Sequence, residues 1–164
     1  MESPDGAPGI ETYAFEPNPE TFQKLCIFKH PKMHPINAAL GDQDGTLLLH
    51  LHGLSDVNSF VYRHGDYTRS IPVSVTRLDS ATWLPRIGLI KIDTEGYELP
   101  VLRGAVETLR RNRPRLVVEI HPPYQRQLKE VSTYLRGPGF TCKVVHRRRY
   151  GQPHLVAWYN GRGG

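Results

Sequence analysis

Leu89-Ile90-Lys91-Ile92-Asp93-Thr94-Glu95-Gly96-Tyr97-Glu98 is the stretch from which the fold is read. Leu89 to Ile92 form a nearly continuous apolar run cut off by charge, the pattern of a parallel strand covered on both faces. Asp93 and Glu95 then fall at the strand's carboxyl end, where Gly96 permits a tight turn. Downstream, Leu99, Leu102, Ala105, Val106 and Leu109 recur at helical spacing. They predict one helix from Leu99 to Leu109, with Arg110, Arg111 and Arg113 at its negative end and Pro114 closing it. Leu116 to Ile120 is a second buried strand, ending at His121-Pro122-Pro123. A helix from Tyr124 to Leu135 follows, and Gly137-Pro138-Gly139 ends it. Phe140 to Val145 and Leu155 to Tyr159 form a closing strand pair joined by the basic turn Arg147-Arg148-Arg149.

Upstream of that stretch, residues 1–9 are polar, rich in Pro and Gly, and read as a flexible leader, leaving 10–164 as a single domain. Ile10 to Phe15 is a short strand stopped by Glu16-Pro17-Asn18-Pro19, and Glu20 to Phe28 is a helix with Asn18 as N-cap and Pro19 at its first position. Pro31 and Pro35 bracket a break before a brief buried strand, Ile36 to Leu40. Thr46 to Leu51 and Ile71 to Thr76 are strands that pair as an antiparallel flap around the polar loop Gly53 to Ser70. Strands alternating with helices predict an α/β fold: a mostly parallel sheet flanked by helices on both faces, with an antiparallel edge hairpin at the C-terminus.

A chain of 164 residues is one domain's worth, and 38% hydrophobic content excludes a disordered protein. No apolar run is long enough to span a membrane and no signal peptide is evident, so the expectation is a soluble, cytoplasmic protein. Cys26 and Cys142 lack metal or disulfide spacing and read as buried small hydrophobes. The net charge of +5 permits a nucleic-acid partner, but no nucleic-acid motif accompanies it, and the three adjacent arginines read as a solvated tip.

In an open parallel sheet, ligands bind at the carboxyl ends of the strands, so the polar residues there are the candidates. Glu16 can accept hydrogen bonds from a ribose diol, or merely cap the next helix. Asp93 and Glu95 can fix an ammonium group, act as general base or hold a divalent ion, and they also suit the N-terminus of a helix. His121, next to the strand-end Glu119, can accept a proton near neutral pH or simply be a satisfied turn residue. His50 and His52 share a strand face but have no third partner, so no metal is expected there.

The blocks Tyr13-Ala14-Phe15-Glu16-Pro17-Asn18-Pro19, Asn37-Ala38-Ala39-Leu40-Gly41-Asp42, Arg77-Leu78-Asp79, Ile90-Lys91-Ile92-Asp93-Thr94-Glu95-Gly96-Tyr97-Glu98 and Val118-Glu119-Ile120-His121 together resemble the FkbM family of S-adenosylmethionine-dependent methyltransferases. The resemblance implies a class I methyltransferase sheet of Rossmann-like kind and methyl transfer to a hydroxyl of a sugar or other small metabolite. Carried over by position, Glu16 with Asn18 would bind the ribose of the cofactor, and Ala39, Leu40 and Asp42 would flank its adenine. Asp93 and Glu95 would lie beside the methionine part, and His121 would face the acceptor; Asp93, Glu95 or His121 would be the base. It assigns no metal. The family's first strand and its glycine-rich turn are expected to be missing ahead of Ile10. Two strand edges would then be exposed, open to pairing in a homo-oligomer, and the alternative reading is a non-catalytic remnant serving as a binding or assembly module.

Overall fold

A computed structural model describes residues 9–52, 67–145 and 152–160. The leader before Gly9, most of the loop from Gly53 and the Arg147-Arg148-Arg149 turn lie outside the described residues. In chain order the elements are β1 (Thr12–Phe15), α1 (Pro19–Phe28), β2 (Met33–Ile36), β3 (Ala39–Leu40), β4 (Gly45–His52), β5 (Tyr67–Thr76), a short 3-10 turn (Leu78–Ser80), β6 (Leu89–Ile92), α2 (Glu98–Arg103), α3 (Val106–Asn112), β7 (Arg115–Glu119), α4 (Tyr124–Arg136), β8 (Phe140–Val145) and β9 (His154–Tyr159).

The predicted single sheet is divided into three among the described residues. β1 and β2 pair in parallel, β5 sits between β3 and β4, and the third sheet runs β6-β7-β9-β8. In that last sheet β6 and β7 are parallel, while β9 runs antiparallel to both β7 and β8. Strand–helix alternation and the antiparallel C-terminal hairpin are as expected. The continuity is not, because among the described residues β1 pairs only with β2 and β6 only with β7. The flap is present, with Gly45 opposite Val75 and Leu49 opposite Ile71.

Being at an edge also corrects the reading of β6. Leu89 is 62% exposed and Lys91 is exposed too, so one face of this strand is open and only Ile92 is buried. Pro35, expected in a break, lies inside β2 opposite Ala14. An edge strand tolerates a missing N–H because only one side of it makes a ladder. The strand predicted from Ile36 to Leu40 is accordingly divided between β2 and β3. Cys26 is exposed on α1 rather than buried, and Cys142 is half-buried.

The helix predicted over Leu99 to Leu109 breaks at Gly104-Ala105 into α2 and α3. The cause is close packing: a Cβ on Gly104 would sit 1.8 Å from the Gly41 carbonyl oxygen. At the break, the Asp79 N–H donates to the Gly104 carbonyl oxygen at 2.9 Å. The Asp79 carboxylate then caps α3 from outside, accepting from Glu107 N at 3.0 Å, Thr108 N at 2.8 Å and the Thr108 hydroxyl at 2.8 Å. An external cap of this kind contributes about 1 kcal/mol and restarts the helix that Gly104 interrupts.

The main core lies between the β6–β9 sheet and helices α2, α3 and α4. Leu102, Leu116, Val118, Ile120, Val131, Leu135 and Ala157 are all 0% exposed there. Burying each large aliphatic side chain contributes about 1.5–3 kcal/mol. No residue of β1 or β2 belongs to it, and the flap carries its own small cluster, Leu49, Leu51 and Val73. Among the described residues no helix is long and apolar enough to cross a membrane.

Candidate active site

β6 and β7 run side by side in the same direction, so their carboxyl ends deliver Asp93 and His121 to one place. Between Asp93 and α2 the chain makes a tight turn in which Glu95 and Gly96 both have positive φ, 52° and 106°. Gly96 adopts this freely, whereas for Glu95 it is a strained conformation of about 1 kcal/mol or more. The turn brings Glu95 Oε1 to 3.2 Å and Asp93 Oδ1 to 3.6 Å from His121 Nε2. Lys91 Nζ holds the other oxygen of Asp93, Oδ2, at 2.7 Å.

Two further residues, not singled out by the sequence reasoning, hold this arrangement. Glu98, at the start of α2, is 0% exposed, as is His121. Glu98 Oε1 accepts from His121 Nδ1 at 2.8 Å and from Gly96 N at 3.0 Å. Gln127 of α4 completes the set: its Nε2 donates to Glu98 Oε2, and its Oε1 accepts from the His121 N–H. Burial alone would push the Glu98 carboxyl up, but the hydrogen bonds from His121 and Gly96 hold it below the usual carboxylate range. Burial likewise pushes His121 down, and the bond to Glu98 with the charges of Glu98, Glu95 and Asp93 outweighs it, so the imidazole sits above its ordinary value.

An ionised Glu98 only accepts, so Nδ1 carries a proton, and Nε2 is the nitrogen that faces Asp93 and Glu95. That Nε2 is buried and has no hydrogen-bond partner among the described residues, as is the case for Thr94 Oγ1 in the same turn segment. A signal for Gln127 existed in the sequence: it lies on the stripe Gln127, Val131 and Leu135, where a polar residue occupies a core position of an amphipathic helix. Glu98 had a weaker one, as an acid directly preceding the apolar residues of α2.

The remaining candidates have other partners. Glu16 ends β1 half-buried, and its Oε1 accepts from Asn18 N at 2.8 Å. Burial raises its carboxyl above the usual range, and the Asn18 N–H offsets only part of that. Asn18 is the predicted N-cap of α1, its Oδ1 accepting from Glu20 N at 2.9 Å. Ala39 is 3% exposed within the β3–β5 ladder, and Leu40 packs against the main core. Asp42 is exposed and lies near Tyr97, whose hydroxyl is raised first by burial and then by the Asp42 charge. Glu119 turns to His154 of β9, 3.3 Å away, and is not part of the cluster. His50 Nδ1 is 2.7 Å from the Ser70 hydroxyl, an ordinary pair across the flap.

Comparison with known proteins follows the same lines. A protein-family model described as "Methyltransferase FkbM domain" matches residues 3–142. No curated protein matches the chain. Among solved structures, the crystal structure of methyltransferase FkbM from Methylobacillus flagellatus KT is similar in fold, with a TM-score of 0.60 and 15% identity. The likeness covers 91% of the present chain and 36% of the other, so this chain spans about a third of that protein's length.

Proposed function

The chain belongs to the FkbM methyltransferase family, and on that premise we propose that it is an S-adenosylmethionine-dependent methyltransferase acting on a hydroxyl of a small metabolite or sugar. The observation that carries the reading is the convergence of Asp93, Glu95 and the buried His121 at the adjoining carboxyl ends of β6 and β7.

The cofactor's chemistry fits the residues present. A ribose diol needs a carboxylate acceptor at a strand end, and Glu16 is one whose Oε2 bonds to no described residue. An ammonium group or a sulfonium charge is favoured by carboxylates, which Asp93 and Glu95 supply. When bound, S-adenosylmethionine provides a methyl group on a positively charged sulfur. The chain's own part is to hold the acceptor hydroxyl in line and to accept its proton, and the Asp93–Glu95–His121 cluster is the group suited to that. The free thiols of Cys26 and Cys142 fit a reducing, cytoplasmic setting.

A non-catalytic binding module is not favoured. It has no use for a buried imidazole nitrogen left without a hydrogen bond between two carboxylates, an arrangement that costs stability.

Calorimetry with S-adenosylmethionine, followed by transfer of a labelled methyl group to a panel of sugars and hydroxylated metabolites, tests the reading. Asp93→Asn is expected to lower kcat about 100-fold, the usual size of a lost acid–base contribution. Folded wild-type protein that gives no heat with S-adenosylmethionine overturns it.

A further inference from the structure

We propose that Asp93, Glu95 and His121 form a binding site for one divalent transition-metal ion, of the zinc or manganese type. One ligand atom from each residue lies within 4.8 Å of the others. The sequence left a divalent ion as one of several roles open to Asp93 and Glu95; the pairing of β6 with β7 is what puts the imidazole of His121 beside the two acids.

With its Nδ1 proton committed to Glu98, a neutral His121 presents the lone pair of Nε2, 3.2 Å from Glu95 Oε1 and 3.6 Å from Asp93 Oδ1. Three acceptors then face one another, which is unfavourable without a cation among them. A proton on Nε2 competes with a metal ion for that place, although Nε2 makes no well-aligned hydrogen bond to either carboxylate among the described residues.

A metal ion matches the spacing. Ligand atoms about 2.1 Å from an ion lie about 3.4 Å apart at tetrahedral corners and about 3.0 Å apart at adjacent octahedral corners. The observed 3.2 and 3.6 Å bracket the tetrahedral value. Two carboxylates and a neutral imidazole also balance a 2+ charge. The nitrogen ligand favours zinc over calcium and magnesium, while the two carboxylates also suit manganese.

Glu98 and Gln127 act as positioning residues. A buried carboxylate that receives the Nδ1–H of a metal-binding histidine fixes the tautomer and aims the lone pair, and Gln127 anchors both that carboxylate and the His121 backbone. Three protein ligands leave a position open for water or for a hydroxyl, which an ion makes more acidic. The consequence for methyl transfer rests on the function proposed above; binding of the ion does not.

The test is titration of the metal-free protein with ZnCl2 by calorimetry, and with CoCl2 by visible absorption, in the absence of S-adenosylmethionine. One equivalent is expected to bind at micromolar affinity or tighter, with the visible band of four- or five-coordinate cobalt. Asp93→Asn with Glu95→Gln should abolish that equivalent. Glu98→Gln should weaken it about 10–100-fold, an effect a merely structural Glu98 would not have on the cobalt spectrum. No binding by the folded wild type, or binding unchanged in the double variant, overturns the proposal. Methyl transfer that proceeds fully in EDTA by a protein that binds no metal sinks the ion site and leaves the methyltransferase reading intact. Metal binding without methyl transfer does the reverse.

Discussion

Glu16 and Glu98 are both acids near strand ends, and their surroundings treat them oppositely. Burial raises the Glu16 carboxyl, so below the ordinary value of 4.5 its proton favours the folded state, and that advantage is lost as pH rises through the raised value. At neutral pH an ionised Glu16 is therefore a cost to folding. Glu16→Gln is expected to leave the melting temperature unchanged or slightly higher while weakening S-adenosylmethionine about tenfold or more in calorimetry, a combination that a capping role would not produce. Glu98 is the converse case. Its removal in Glu98→Ala strands His121 Nδ1, Gln127 Nε2 and Gly96 N, and breaking a buried ionic contact of this kind costs about 3–5 kcal/mol, measurable by urea unfolding. The strand-end acids were legible in the sequence because a charge after an apolar run marks a strand's end. Glu98 and Gln127 carried only weak signals there, because their roles exist only once α4 has been laid against α2.

Short elements here begin and end where another part of the chain supplies a hydrogen bond. α3 restarts because Asp79, from a distant turn, caps it, and the β3–β4 turn is held by Asp44 in the same manner. The Asp44 carboxylate accepts from Arg77 N at 2.9 Å, the Thr76 hydroxyl at 2.7 Å and the Ser80 hydroxyl at 2.8 Å. Those bonds favour the ionised form and lower its pKa below the ordinary 3.8, the Arg77 N–H contributing most. The stability they add is thus fully present above the ordinary value and lost as pH falls through the lowered one. The melting-temperature difference between wild type and Asp44→Asn should be constant above about pH 5 and shrink below about pH 4. Helical spacing from Leu99 to Leu109 predicted one helix correctly as to periodicity. It missed the break because the carbonyl that excludes a side chain at Gly104 comes from Gly41, more than sixty positions away.

At the scale of the whole molecule, stability is unevenly distributed. β7 has ladder partners on both sides and side chains at 0% exposure, whereas among the described residues β1 pairs only with β2 and neither contributes to the main core. Local opening should therefore expose the β1 and β2 amides far more readily than those of Leu116 and Val118, by about 100-fold or more in hydrogen exchange. S-adenosylmethionine bound through Glu16 is expected to slow exchange in β1 specifically, and equal protection of β1 and β7 in the free protein would refute the picture. The alternation of strands and helices, the N-cap at Asn18, the flap, the C-terminal hairpin and the family were all determined by the sequence itself, because periodicity, capping residues and motif order are local properties of the chain. Tertiary structure alone decided that the sheet is divided into three, that β6 leaves Leu89 exposed, and that Asp93, Glu95 and His121 meet around a nitrogen held by Glu98. Those facts depend on which strands pair and which faces are covered, and pairing is a contest among distant segments that no single stretch of sequence records.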